Sequence, residues 1–80
     1  MGYFGIIRIM RKKDFTKRNP GVRYITHFQD TQEEAKKEMQ EMLKNLKKKG
    51  KVTDDSEVKC GIYFGDNEAY RLMAEICLQQ

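Results

Sequence analysis

Apolar residues along this chain switch repeatedly between two spacings. From Tyr3 to Met10 both alternate sets are apolar: Tyr3, Ile7 and Ile9 on one, Phe4, Ile6 and Met10 on the other, with Arg8 the single charge. A strand of that kind is central, and its second face is at least partly covered as well. From Val22 to Phe28 the alternation is strict, with Val22, Tyr24, Thr26 and Phe28 facing one way and Arg23, Ile25 and His27 the other. From Thr31 to Lys49 the spacing becomes helical: Ala35, Met39, Met42, Leu43 and Leu46 form one stripe among Lys, Glu and Gln. Val58 to Phe64 returns to strand spacing, with Val58, Cys60, Ile62 and Phe64 opposite Lys59, Gly61 and Tyr63. After Asp66 a second helix runs to Leu78, its stripe made of Ala69, Leu72, Met73, Ile76 and Cys77.

The polar punctuation agrees with these elements. Thr31 and Glu34 form a capping box at the start of the first helix, and late lysines with Gly50 suit its end. Asn19-Pro20-Gly21 reads as a tight turn, and Arg11 to Asn19 before it as a polar, basic loop. Two segments also match each other. In Val22–Met39 and Val58–Met73 a Val precedes Phe by six positions, Phe precedes Asp by two, and Ala precedes Met by four. That is one strand-to-capped-helix unit used twice.

The order is therefore β-β-α-β-α, an α+β fold. A crossover through the first helix makes strands two and three parallel, while a hairpin makes strands one and two antiparallel. With the most apolar strand in the centre, the expectation is a three-stranded mixed sheet of order 2-1-3. Both helices are expected on one face, packed on the shared set Val22, Tyr24, Thr26, Phe28 and Val58, Cys60, Ile62, Phe64, giving a two-layer sandwich. Residues 1–80 are read as a single domain, with a basic loop at 11–19 and β-α units at 22–49 and 58–79.

Composition sharpens the picture. A chain of 80 residues buries only roughly 60% of its unfolded surface, so a dimer partner would help its thin core. Charged residues make up 35% of the chain, yet 39% hydrophobic content in clear periods argues for folding over disorder. The run Tyr3–Met10 is too short and too interrupted for a signal core or a membrane span. Ile6 stands where a myristoylation signal needs Ser or Thr. Cys60 and Cys77 have no motif spacing and read as two buried, reduced thiols, which places the protein in the cytoplasm.

The net charge of +4 is uneven. Arg8, Arg11, Lys12, Lys13, Lys17, Arg18 and Arg23 crowd one region against Asp14, and a second group, Lys44 to Lys51, closes the first helix. No Cys-x-x-Cys, Gly-rich phosphate loop or Ser/His/Asp set is present, and His27 is the sole histidine, flanked by cations. The chain is read as a non-enzyme without cofactor or metal. Its chemistry is expected on the open sheet face, through Arg8, Arg23, Ile25, His27, Lys59 and Tyr63, and on the loop through Arg11, Lys12, Lys13, Phe15, Lys17 and Arg18. An apolar-basic face of this kind suits a protein partner or a second copy of the chain. Alternatively, aromatics among cations suit DNA or RNA, with cations on phosphates and Tyr63 or Phe15 stacking on bases.

One stretch has a counterpart elsewhere. Tyr24 to Leu43, with its Phe28-x-x-Thr31-x-x-Glu34-Ala35 junction, resembles the strand-to-helix step of arm-type DNA-binding domains in phage-like integrases. Those domains place a three-stranded sheet in the major groove, so the resemblance implies nucleic acid. It departs from them in having only two strands before the helix and a second β-α unit after it.

Overall fold

The computed structural model of the chain describes residues 1–14 and 21–78. Its elements are β1 (Gly2–Arg11), a 3-10 turn (Lys12–Asp14), β2 (Val22–Ile25), α1 (Gln32–Lys48), β3 (Ser56–Gly65) and α2 (Asn67–Leu78). They form a small α+β fold around a three-stranded sheet of order β2-β1-β3. The centre goes to β1, the strand with two apolar faces. Its pairing with β3 runs unbroken from Gly2↔Gly65 to Arg11↔Ser56.

Both pairings are antiparallel, so the expected mixed sheet is not formed. Strands β2 and β3 do point the same way, but β1 separates them and no parallel ladder exists among the described residues. With β1 between them, a hairpin to β2 and an antiparallel partner in β3 together give a fully antiparallel sheet.

Helix α1 begins where Thr31 Oγ1 accepts the Glu34 N–H at 3.2 Å. It ends in a Schellman motif: Gly50 N–H donates to Lys47 O, Lys51 N–H donates to Leu46 O, and Gly50 takes a φ of +75°. Met39 and Leu46 pack on Ile7 and Ile9 of β1, with Tyr24, Val58 and Ile62 at the margin. These are odd positions of β1 and even positions of β2 and β3, one face of the sheet. Gly5 brings the helix close, since a Cβ there would stand 2.9 Å from Met39 Sδ and 3.1 Å from its Cβ.

Helix α2 lies on the other face. Tyr70 packs edge-on against Phe4, with ring centroids 5.3 Å apart, and meets Phe28 at the same separation. Phe4 alternates with Gly5 and Ile7 along β1, so it points away from α1. The expectation of both helices on one face is thereby overturned. The reason is the second apolar face of β1: Phe4, Ile6 and Met10 are as buried as Ile7 and Ile9, and a single helix layer cannot cover both sets.

A bulge explains why Phe28 changes sides. Pairing with β1 joins Ile6 to Ile25 but Tyr3 to Gln29, so the β2 side carries one extra residue between the two. Buried Thr26 fills the gap: its Oγ1 accepts the Gly5 N–H at 2.8 Å and donates to His27 O at 3.0 Å. Tyr70 Oη donates to Thr26 O at 2.9 Å, which ties α2 to the same point. Strand β2 therefore ends at Ile25 rather than Phe28, and Phe28 joins Phe4 and Tyr70 instead of α1.

Candidate interaction surface

The α2 face of the sheet carries a row of cations. Arg8 stands directly beside Arg23 of β2 and Lys59 of β3 in the strand register. Further along that face Tyr63 stacks on Phe4 at 5.8 Å and is half exposed. Alternation alone predicted this grouping of Arg8, Arg23, Lys59 and Tyr63.

Two other members of the expected open face are placed differently. Ile25 is half-buried and, with Arg23, lines an open groove of about 610 Å³ against Tyr70, Ala74, Cys77 and Leu78 of α2. The face expected to be open is thus partly roofed by a helix. His27, beyond the start of the bulge, turns to α1, where its backbone N–H donates to Glu38 Oε2 at 2.7 Å and its Nδ1 lies 3.1 Å from Oε1.

Glu38 also accepts Gln29 Nε2 at 3.0 Å. Burial alone would raise its carboxyl, but the hydrogen bonds from His27 and Gln29 outweigh that and hold it below the ordinary carboxylate value. The ionised form is therefore favoured in the folded state. Its contribution to stability is present above the ordinary carboxylate range and is lost as pH falls through the depressed value. Thermal melts of Glu38→Gln through the acid range should show a flatter pH dependence than the wild type. Parallel curves would contradict this role.

Arg11, Lys12 and Lys13 are exposed at the end of β1 and line a cleft with Asp55. Lys12 N–H donates to Asp55 O at 2.8 Å, and Arg11 Nε lies 3.4 Å from the Asp14 carboxylate. Phe15, Lys17 and Arg18, the remaining loop candidates, lie outside the described residues. The thiols are not both buried as expected: Cys60 is exposed on β3 and Cys77 half-buried on α2, and both are free. Burial pushes the Cys77 thiol up, with Arg23 acting in the opposite direction. Among the described residues no three His, Cys, Asp or Glu side chains are placed to hold a metal ion, and no helix is long and apolar enough to cross a membrane.

The surface that the sequence reading missed is the outer side of β3 and α2. Only Asn67, Glu68, Arg71 and Glu75 of α2 are polar, yet none of its residues is buried. Tyr70, Ala74 and Cys77 face the β2 side, which leaves Leu72 56% and Ile76 38% exposed where a core stripe was expected. Tyr63, on the α2 face of β3, is 49% exposed, and Phe64, on the opposite face, is 58% exposed and supported by Tyr3 at 4.7 Å between ring centroids. A usable signal was the width of the apolar arc of α2, which exceeds what one sheet contact can cover. No protein-family model, curated protein or solved structure matches this chain.

Proposed function

We propose that this chain is a small intracellular binding protein, an adaptor or inhibitor that acts by contact with a protein partner and assembles as a homodimer. The observation that carries the reading is α2, a predominantly apolar helix without a buried residue, on the same sheet face as half-exposed Tyr63. Exposed Leu72 and Ile76, one turn apart on α2, mark an interaction site more often than a bare surface. Aromatic anchors of this type dominate binding energy when a partner desolvates them.

Affinity capture with the wild-type chain and with a Leu72→Glu/Ile76→Glu variant tests the proposal. Both positions are exposed, so the variant should fold with stability changed by only about 0.5 kcal/mol. The expected result is a protein that is retained after nuclease treatment and lost with the variant. Identical capture by both chains would contradict the reading.

A second reading, binding of DNA or RNA, is favoured by the row Arg23–Arg8–Lys59 with Arg11, Lys12 and Lys13 at the strand end. Cations aligned along neighbouring strands suit the regularly spaced phosphates of a nucleic acid. Such binding would weaken by about 0.7 to 0.9 log units per log unit of salt for each phosphate contact. Mixed oligonucleotides that fail to bind at low salt remove this alternative.

A further inference from the structure

The outer edge of β3 is a second contact surface, distinct from the side chains of α2. Tyr3 and Gly5 of β1 direct their N–H and C=O groups toward the β2 side, as their bonds to Gln29 and Thr26 show. Even positions of β1 therefore bond to β3, where they meet odd positions such as Lys59, Gly61 and Tyr63. The Lys12 N–H to Asp55 O bond just beyond the ladder keeps the same phase. It follows that Val58, Cys60, Ile62 and Phe64 point their N–H and C=O groups outward, where no strand among the described residues pairs with them.

Proteins normally blunt such an edge with a short strand, proline or charge. The opposite edge fits that habit, because β2 is four residues long. β3 is ten residues long, contains no proline, and has one Glu and one Lys that cancel.

We propose that a second copy of this chain pairs with β3 along this edge, antiparallel across a two-fold axis at Gly61, to form a six-stranded sheet. The inference deepens the homodimer in the functional reading and rests on it. The edge is self-complementary. With the axis at Gly61, Val58 lies opposite Phe64 of the other copy and Cys60 opposite Ile62, each pair exchanging two N–H···O=C bonds. Moving the axis to Ile62 would set Val58 opposite Asp66, outside the strand, and moving it to Cys60 would set Phe64 opposite Ser56, whose N–H already donates to Thr53 O. Charge also permits the contact, since the net +4 resides outside the neutral strand β3. The helices leave room: α1 lies on β1, and the two copies of β1 would stand three strand spacings apart, about 14 Å. Helices about 10 Å across fit side by side at that distance.

Amide exchange on the wild-type chain reads the register directly. Between micromolar and millimolar concentration, the N–H groups of Val58, Cys60, Ile62 and Phe64 should become protected by about tenfold or more. Those of Lys59, Gly61 and Tyr63, bonded to β1, should be protected at both concentrations. Sedimentation equilibrium should show the mass doubling over that range. Cys60→Pro removes one outward donor and none of the β1 ladder, so a folded Cys60→Pro chain should remain monomeric. Cys60→Lys, which brings two cations together near the axis, should do the same. Wild type that stays monomeric, or a dimer unaffected by both variants and without alternating protection, overturns the inference. Either result leaves the capture comparison at Leu72 and Ile76 to decide the wider functional reading.

Discussion

Replacing Met39 with aspartate should leave the chain largely unfolded at room temperature. Met39 lies under β1, 9% exposed, in contact with the group formed by Ile7, Ile9 and Leu46. Truncating a buried methionine costs about 2–5 kcal/mol, and an unpaired carboxylate placed there adds a desolvation penalty of similar size. A domain of this length has a total stability of only about 4–12 kcal/mol. Far-UV circular dichroism and denaturant titration read the outcome. A cooperative transition within a few degrees of the wild type would mean that the α1 stripe does not face the sheet.

Gly5→Val should be the next most damaging change. A Cβ at this position would stand 2.9 Å from Met39 Sδ and 3.1 Å from its Cβ, so the thioether would have to swing aside and α1 to shift by a few tenths of an ångström. A branched side chain would press the helix farther from the strand. Overpacking of this kind costs about 1–3 kcal/mol, and the figure should fall at the upper end because the backbone-proximal Cβ of Met39 cannot swing away. The same geometry predicts a coupling: combined with Met39→Ala, Gly5→Val should cost less than the sum of the two single changes. Strict additivity in urea titrations would contradict direct contact between these positions.

These two sites also show what could be read from the chain before its folding. The Met39 stripe, the Thr31 cap and the Gly50 terminus follow from local periodicity and backbone chemistry, and all three appear where expected. The order β2-β1-β3 followed from one long-range argument, the double apolar face of β1. That argument also required a cover on the second face, and duplication of the β-α unit obscured the requirement by suggesting that both helices pack alike. The bulge at Thr26 could not be read, because it depends on one hydroxyl replacing a backbone group and leaves the apparent alternation of Val22 to Phe28 intact. Its consequences reach the candidate surface: Phe28 leaves the α1 face, His27 leaves the cation row, and α2 roofs Ile25. What remained legible was the row Arg23, Arg8 and Lys59, which lies inside the regular ladder, where alternation holds.

The placement of α1 and α2 on opposite faces determines which side chains of β3 and α2 stay uncovered. Nuclear Overhauser contacts from the Tyr70 ring test it most directly. Contacts are expected from Tyr70 to Phe4 and Phe28, and from the Met39 methyl to Gly5. Contacts from Tyr70 to Ile7 or Ile9 would instead put both helices on one face and contradict that placement.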